Sequence, residues 1–491
     1  MAWFFRFLPI SRWAGTSPRH GARACVTAPS VATGHGHSPL SLLLRHQLMR
    51  NPSTRVHALF ITAGLHRVQA DEVGLRLWNP LLRLYALGSF PEDALLLYRK
   101  MLHVGAGRLL PGDTFTLSFL VKACANLSQL GNGTQVHGVT LKKGFESDVY
   151  VQTALLNMYC EFGLIREAQQ VFDAMPERNL VTWNAMMTGL MRWGAVDHAR
   201  MLFYAMHDRN VISWTCMIDG YTRANRFMEA LLLFCKMIAE GLWPTEITVL
   251  AIAPAISNLG ALDIAESIHA YCEKNGLNMS DVRVSNCLID MYAKCGSIDS
   301  SLKVFNDMAD ERNLVSWTSI VSGFAMHGMA KEVVELLEGM GKEEIRPNRV
   351  TFLCMLNACS HGGLVNEGLK IFSDMVHVYG IEPEIKHYGC VIDMLGRAGR
   401  LEEAEKMILE MPVDVNVVVW RTLLNCCGMH GNAEVGERVL GRILELERGY
   451  GGDYVILSNV FSVTGRFQNA EEIRKLMDER NVSKVPGHSI V

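Results

Sequence analysis

The chain lacks any uncharged apolar run of the roughly 18 residues that a membrane-spanning helix requires. The longest candidate, residues 247–262, is interrupted by Pro254, Ser257 and Asn258, which favours a buried helix instead. Proline is scarce, at 15 positions, while hydrophobic residues make up 49% of the 491 residues. That composition excludes an intrinsically disordered body. We therefore expect a folded protein with no membrane partner.

Lysine and acidic residues are missing from the first 70 residues, which nevertheless contain eight arginines; the first carboxylate is Asp71. An arginine-rich, acid-free start with interspersed Ser, Thr and Ala is typical of an organellar transit peptide, which we predict for residues 1–40. The richness in arginine favours the mitochondrion over the chloroplast as the destination. The alternative interpretation of this segment is a basic tail that contacts nucleic acid.

The remainder of the chain is acidic. Since the whole chain has a formal net charge of −3 and the eight arginines contribute +8, residues 71–491 sum to −11. Strong sequence-independent binding to nucleic acid requires many Lys and Arg side chains at the phosphates. Any nucleic-acid recognition by this chain must therefore depend mainly on contacts to the bases.

Thirteen cysteines are scattered through helical patterns, with no secretory leader before them. In a long chain this arrangement does not indicate a disulfide framework. We interpret the cysteines as reduced, buried thiols that behave as small hydrophobic side chains, which fits a reducing compartment.

Internal repetition dominates the sequence. The segments NLVTWNAMMTGLMRWGAVDHARMLFYAM and NVISWTCMIDGYTRANRFMEALLLFCKM align without a gap, Trp183 to Trp214. Each unit contains two apolar stretches with helical spacing, separated by a turn with Gly, Asn or Ser. In the second stretch Ala168, Phe172 and Met175 share one helix face, which a single hairpin cannot bury but stacked neighbours can. We predict an all-α fold, an α-solenoid of stacked helix-turn-helix repeats that forms a superhelix with a concave surface.

The details of the repeat differ from those of tetratricopeptide repeats, which share the Ala and Phe offsets. The patterns V-x-W-N/T-x-M/I-I, M-Y-x-x-x-G-x-I, K-A-C and Met-x-x-x-G-x-x-P resemble the plant PLS-class pentatricopeptide repeat family over about residues 75–491. The alternation of unit lengths, mostly about 31 to 36 residues, is also similar to that family. The units are 75–113, 114–148, 149–179, 180–210, 211–245, 246–281, 282–313, 314–348, 349–384 and 385–416.

The resemblance implies a division of the chain into a partial degenerate repeat at 41–74, ten PLS-type repeats at 75–416 and E-type C-terminal helical motifs at 417–491. Only about a dozen residues separate Gly64 from Trp78, where a further short repeat is expected; a deletion or an imperfect gene model would explain the short spacing. His488 stands where the E pattern usually has Cys. The positions that match the E pattern are Tyr454, Ser458, Asn459, Gly465 and Arg474.

By resemblance, two residues of each unit face the concave groove and read one nucleotide of single-stranded RNA: the fifth residue and the last. Asp only accepts hydrogen bonds and suits U or G, whereas Asn can donate and suits A or C. At the fifth position Thr or Ser selects a purine and Asn a pyrimidine. The predicted pairs are Asn79/Asp113 for U, Thr153/Asn179 for A, Asn184/Asn210 and Asn286/Asn313 for C or U, Thr215/Thr245 for a purine, and Thr318/Asn348 for A.

The long-type units are expected to read little, because Leu cannot form a hydrogen bond with a base edge. The alternative interpretation at every position is structural, since Asn often caps a helix and Thr in a first turn often bonds only to the backbone. The weak pairs are Ser118/Asp148, Leu250/Asp281, Leu353/Glu384 and, as an uninformative short unit, Gly389/Asn416.

Other features are interpreted as structural. The segment Gly131-Asn132-Gly133 is predicted to be the inter-helix turn rather than a phosphate loop, because no strand precedes it. His137 and His269 occupy one repeat position and are predicted to pack rather than to bind metal. The tryptophans that precede the fifth position are predicted to lie in the hairpin core: Trp183, Trp214 and Trp317.

In this family a cytidine-deaminase-like domain can follow the E motifs, and its zinc chemistry needs His-x-Glu and Cys-x-x-Cys. Neither pattern occurs among the 17 His and 13 Cys. We therefore expect no catalysis by this polypeptide, and no metal or cofactor.

The function that the resemblance implies is site recognition for organellar C-to-U RNA editing. The protein would bind single-stranded organellar RNA and recruit a deaminase-bearing partner through the E region. The alternatives are an organellar RNA stability, processing or splicing factor, and a tetratricopeptide-like protein-binding scaffold.

Overall fold

The computed structural model describes residues 72–88, 90–104, 112–447, 450–480 and 482. The predicted transit peptide at 1–40 lies outside these residues, as does all but the end of the predicted partial repeat at 41–74. Within the described residues the regular structure is helical, without a β-strand. The prediction of an all-α fold is confirmed.

Helices of ten residues or more alternate as the first and second members of pairs. The first helices are α1 (Glu72–Leu87), α3 (Thr114–Asn126), α5 (Val149–Glu161), α7 (Leu180–Arg192), α9 (Val211–Arg223), α11 (Glu246–Leu259), α13 (Val282–Lys294), α15 (Leu314–Met326), α17 (Arg349–Gly362), α19 (Ile385–Arg397), α21 (Val417–His430) and α23 (Gly451–Val463). The second helices are α2 (Pro91–Val104), α4 (Leu130–Lys142), α6 (Ile165–Ala174), α8 (Val196–Ala205), α10 (Phe227–Ala239), α12 (Leu262–Asn275), α14 (Ile298–Asp307), α16 (Ala330–Lys342), α18 (Val365–His377), α20 (Leu401–Glu410), α22 (Ala433–Leu446) and α24 (Phe467–Glu479).

The chain forms two compact units, residues up to 252 and residues from 253 onward, and the division falls within α11. In the first unit α1, α3, α5, α7 and α9 pack side by side, and each second helix from α2 to α8 packs against its own first helix and the next one. In the second unit α13, α15, α17, α19, α21 and α23 form the corresponding row, with second helices packed in the same way. Each unit is therefore a stack of helix pairs in two layers.

The recurring Ala and Phe of the second helices explain this packing. On α6, Ala168 and Phe172 are buried, and Met175 follows them into the core. On α8 the same positions are Ala199 and Phe203, also buried. Because side chains three and four residues apart share one helix face, these residues form a continuous apolar stripe that only a neighbouring helix can cover.

The turns inside the pairs require a left-handed backbone. Gly163 has a φ of 74°, and the corresponding residues of two other pairs, Ser128 and Asn225, have φ values of 54° and 58°. Glycine takes this conformation without a steric penalty, and Asn is the side chain that tolerates it best. This requirement explains the Gly, Asn or Ser between the two apolar stretches of each unit.

The predicted role of the segment Gly131-Asn132-Gly133 was wrong. All three residues lie in the first turns of α4, and the turn that precedes α4 ends at Gln129. A Cβ atom at position 133 would lie only 2.4 Å from the Met158 sulfur on α5. Gly133 is therefore a site of close helix approach, which sequence reasoning mistook for a turn signal.

Candidate nucleic-acid interface

The fifth and last residues of a unit come together because of how the first helices stack. The last residue of one unit is the N-cap of the next first helix, which packs against the first helix that carries the fifth residue. The amide of Asn79 accordingly donates to both oxygens of Asp113, at 3.0 Å each. The amide of Asn286 donates to Asn313 Oδ1 at 3.3 Å. We refer to the fifth and last residues of one unit as a reading pair.

The N-cap fixes the orientation of each terminal Asn. The side-chain oxygens of Asn179, Asn210 and Asn348 accept from backbone N–H groups of the following helix at 2.9, 3.0 and 2.9 Å. Because a helix N-terminus presents only donors, the amide oxygen must face the helix. The Nδ2 group then points away from it as a hydrogen-bond donor. In Asp113 the corresponding outer atom is a carboxylate oxygen, an acceptor.

The capping interpretation and the reading interpretation are therefore compatible at the last position. The cap uses one side-chain atom and leaves the other to distinguish donor from acceptor. Thr245 differs, since it is exposed and its hydroxyl lies 3.1 Å from Thr248 Oγ.

The fifth residues differ in accessibility. Asn79, Thr153, Asn184 and Thr318 are partly exposed, whereas Thr215 and Asn286 are only 7% exposed. In five of the six predicted pairs the two side chains are linked by a direct hydrogen bond or through one intervening hydroxyl. It does not join Asn184 to Asn210, and the buried Oδ1 of Asn184 lacks a hydrogen-bond partner. The burial of two fifth residues could not be read from the sequence.

In the units that are expected to read little, the fifth and last side chains form other contacts. Ser118 Oγ donates to the Thr114 carbonyl at 2.8 Å. Asp148 caps α5 through Tyr150 and Val151. Asp281 forms an ion pair with Arg283 at 2.6 Å, and this hydrogen-bonded guanidinium lowers the pKa of the Asp281 carboxyl.

A row of exposed apolar side chains, missed by the sequence analysis, flanks the reading pairs. These are second residues of first helices, next to the caps, and each is 54% to 71% exposed. Their signal in the sequence was an apolar residue at one fixed position of most units. Such side chains could contact the flat faces of bases. They are Phe115, Tyr150, Val181, Ile212 and Ile247 in the first unit, and Val315, Val350 and Val418 in the second.

Arginines that immediately precede three of the caps are engaged within the protein. The Nε atoms of Arg178, Arg209 and Arg312 donate to carbonyls at the C-terminal ends of the second helices, at 2.8, 2.7 and 2.9 Å. Each guanidinium also lies over a Phe ring, 4.5 to 5.0 Å from its centroid. Such a cation–π contact and helix C-terminal bonds stabilise the loop that carries the cap.

The tryptophans lie in the core as predicted. Trp214 and Trp317 are buried and contact Phe203 and Phe305 edge to face, with ring centroids 4.9 and 4.8 Å apart. Trp183 makes the same contact with a Phe but remains partly exposed.

The two histidines bond to tyrosines. His137 Nδ1 lies 2.8 Å from Tyr159 Oη, and His269 Nδ1 lies 3.0 Å from Tyr292 Oη. Burial lowers the pKa of both imidazoles. Within the described residues no group of His, Cys, Asp and Glu could hold a metal ion.

Three of the residues that match the E pattern, Tyr454, Ser458 and Arg474, form contacts within the last helix pair. Arg474 Nε donates to Ser458 Oγ at 2.9 Å, and Arg480 donates to Tyr454 Oη at 3.0 Å. The preceding pair is tied to it by Arg421, whose guanidinium donates to both oxygens of the buried Asp453 at 2.9 to 3.0 Å.

Comparison with known proteins agrees with the helical-repeat fold. The fold is that of a helical-repeat protein, as in the crystal structure of the pentatricopeptide repeat protein PPR10 from maize, with a TM-score of 0.57 at 18% identity over 84% of this chain and 64% of that one. The family models for the PPR repeat family and the PPR repeat match residues 209–252 and 312–361, and residues 76–105, 153–180, 181–211, 284–312, 350–377 and 386–414. The model for the E motif matches residues 430–491.

Relatives from Arabidopsis thaliana establish the family. The mitochondrial pentatricopeptide repeat-containing protein At1g09220 is 50% identical over 464 residues, which cover 92% of each chain. The pentatricopeptide repeat-containing protein At5g56310 is 39% identical over 84% of this chain and 78% of its own. The chloroplastic relative At3g57430 is 37% identical over 84% of this chain and 44% of its own. The chain belongs to the pentatricopeptide repeat family, as a plant PLS-class protein of the E subgroup.

Among the residues that the structure describes, none of the helices could span a lipid bilayer.

Proposed function

We propose that this protein binds single-stranded RNA in an organelle, with each reading pair contacting one base, and that it selects sites for C-to-U editing. The observation that carries the proposal is the recurring arrangement at the first helices: a pair of polar side chains beside an exposed apolar side chain. The polar pair is suited to a base edge and the apolar side chain to a base face.

The hydrogen-bonding pattern of the pair Thr318/Asn348 illustrates the reading. Asn348 Nδ2 points outward as a donor, because its Oδ1 caps α17. Thr318 Oγ lies beside the cap, 2.9 Å from Thr351 Oγ. The pair matches adenine, whose pairing edge offers an acceptor ring nitrogen next to a donor amino group. Uracil would place a ring N–H against the donor of Asn348 and be rejected.

Binding to predicted RNAs tests base reading. The full chain would be titrated with single-stranded RNAs that carry A or C opposite Thr318/Asn348, synthesised in both 5′ to 3′ orders of the predicted bases. Adenine and cytosine both present an acceptor ring nitrogen to Asn348, so the choice between them falls to Thr318, which by the resemblance selects a purine. We expect a preference for A over C of about tenfold, the ratio that 1.4 kcal/mol of discrimination gives. Thr318→Asn should reverse the preference towards C.

Thr422→Asn is the matched control, because Thr422 lies outside the reading pairs but makes the same bond to a carbonyl four residues earlier, as Thr318 does. It should leave the ratio unchanged. Equal binding to all RNAs, or no binding, would exclude base reading and leave the scaffold function.

The editing role adds a partner to the RNA. We propose that the E region, residues 417–491, recruits a deaminase-bearing protein in trans. Sequencing of organellar transcripts from plants that lack the protein tests this: one or a few unedited cytidines near the predicted base order would support it. Normal editing with altered transcript ends or retained introns would instead assign the protein to RNA processing or splicing.

We propose the mitochondrion as the compartment. The arginine-rich, acid-free start of the chain supports it, as does the mitochondrial assignment in the name of the relative that is 50% identical. A fusion of residues 1–70 to a fluorescent protein should enter mitochondria, and import into plastids would contradict the proposal.

A further inference from the structure

A buried hydroxyl recurs between the two residues of the reading pairs. It belongs to the third residue of the next first helix, and each of these residues is 0% exposed. Because a buried hydroxyl is costly unless it is hydrogen-bonded, its partners are informative. The six residues are Thr116, Thr182, Ser213, Thr248, Ser316 and Thr351.

The contacts of Thr351 show how the hydroxyl acts. It donates to Asn348 Oδ1 at 3.0 Å, and it lies 2.9 Å from Thr318 Oγ. A hydroxyl has one hydrogen, and Thr351 donates its hydrogen to Asn348. The Thr318 hydroxyl therefore donates its own hydrogen either to Thr351 Oγ or to the Leu314 carbonyl, at 2.7 Å. In either case the hydrogen of Thr318 points inward and its lone pairs remain for a ligand. The hydroxyl thus sets the acceptor of one side chain beside the donor of the other.

In four other pairs the hydroxyl also lies within hydrogen-bonding distance of both side chains, although its single hydrogen can be donated to only one of them. Ser316 donates to Asn286 Oδ1 at 2.6 Å and lies 3.2 Å from Asn313 Oδ1. Thr116 lies 2.6 Å from Asn79 Oδ1 and 2.9 Å from Asp113 Oδ1.

In the remaining two of these pairs the fifth residue is itself a Thr, so the buried hydroxyl contacts another hydroxyl. Thr182 lies 2.8 Å from Thr153 Oγ and 3.1 Å from Asn179 Oδ1. Thr248 lies 2.7 Å from Thr215 Oγ and 3.1 Å from Thr245 Oγ. Ser213 contacts only the cap, Asn210, at 3.0 Å.

The units whose pairs are expected to read little lack this hydroxyl. Their caps are Asp148, Asp281, Glu384 and Asn416, and the third residues that follow them are Val151, Val284, His387 and Val419. A valine still fills the core position, so packing alone does not require the hydroxyl. The hydroxyl therefore accompanies the polar pairs, and in Thr116, Ser316 and Thr351 it also accepts from the backbone N–H of its own cap residue.

We propose that the third residue of a first helix, where it is Thr or Ser and contacts both members of the preceding pair, is a positioning residue for base reading. Its buried hydroxyl orients the fifth and last side chains of the preceding unit. Reading pairs without it bind RNA with little preference among bases. The proposal rests on the proposed function, since a positioning residue needs a base to read.

The test compares the full chain with Thr351→Val, which is similar in shape and removes the hydroxyl, and Thr351→Ser, which restores it. The measured quantity is the ratio of Kd values for RNAs with C and A opposite Thr318/Asn348. Thr140→Val is the matched control, because Thr140 is equally buried but donates only to the His137 carbonyl, at 2.6 Å.

We expect a ratio of about ten for the wild type, Thr351→Ser and Thr140→Val, and a ratio near one for Thr351→Val. Ser316→Ala should lower the preference for pyrimidine opposite Asn286/Asn313 in the same way, which gives an independent measurement if Thr351→Val folds poorly. A wild-type ratio near one would overturn base reading and this proposal with it. A wild-type preference that persists in Thr351→Val and Ser316→Ala would overturn the positioning role alone.

Discussion

Replacement of Asn348 by Asp is expected to preserve the helix cap and reverse the base preference of its pair. In the wild type, Asn348 Oδ1 accepts from the Thr351 N–H at 2.9 Å and from the Thr351 hydroxyl at 3.0 Å. One carboxylate oxygen of Asp can accept both bonds. The other oxygen would then occupy the place of Nδ2 and present an acceptor where the wild type presents a donor.

The structure sets the expected magnitudes. Asp caps helices as well as Asn does, so Asn348→Asp should change local stability by less than about 0.5 kcal/mol, whereas Asn348→Ala loses the cap and about 1 kcal/mol. With Thr318 unchanged, an outward acceptor suits guanine, whose pairing edge offers a ring N–H. A change from about tenfold in favour of A to about tenfold in favour of G corresponds to about 2.7 kcal/mol.

Two assays separate stability from reading. Hydrogen exchange of the Thr351 amide reports the cap, because that N–H is bonded to residue 348. Titration with RNAs that carry A or G at the corresponding position reports base preference. The ratio of the two Kd values is the appropriate quantity, because the added negative charge weakens binding to every RNA similarly.

A result in which Asn348→Asp keeps the preference for A while the Thr351 amide stays protected from exchange would show that residue 348 only caps the helix. That result would refute the argument that the cap leaves one atom for the base.

Two further predictions concern the helical body. Asp453→Ala should destabilise α21 to α24 by about 2–3 kcal/mol, because it leaves the guanidinium of Arg421 with Glu447, at 3.2 Å, and the Tyr450 ring, at 4.4 Å from its centroid. Faster hydrogen exchange in α23 would show this, and unchanged exchange would contradict it. Burial raises the pKa of Cys160 from its ordinary 9.0 to about 12, so its thiol should resist iodoacetamide at pH 8 until the chain is unfolded. Since the pKa of Cys160 is higher in the folded chain than in the unfolded chain, its contribution to stability should be lost as the pH rises above about 9. Rapid alkylation of the native chain would contradict the burial of Cys160.

The helix pairs could be predicted from the sequence because they depend on one strong constraint. The face that carries Ala168 and Phe172 must be buried, and both side chains are. The composition of the turns followed from an equally local requirement, the left-handed backbone at Gly163. Gly133 could not be placed, because the reason for glycine there is the Met158 side chain of another helix.

The candidate site could be predicted only in part. The identities of the pairs follow from repeat position, but their burial and bonding depend on contacts between units. Asn286, for example, is only 7% exposed and is bonded to Ser316 and Asn313 of the next unit or its cap. The third-position hydroxyls recur visibly in the sequence, yet a Thr or Ser in a first helical turn is ordinarily explained by capping. Their second partner, on the preceding helix, becomes apparent only in three dimensions.

Selection from a random pool of single-stranded RNA with the full chain tests base reading most directly. With one nucleotide per unit, the pairs from Thr153/Asn179 to Thr318/Asn348 should enrich the order A, pyrimidine, purine, any base, pyrimidine, A, in one of the two chain directions. Thr318→Asn should change only the base at the end of this order that corresponds to residue 318. Recovery of RNAs without a common order, or of an order that Thr318→Asn leaves unchanged, would contradict base reading by these pairs.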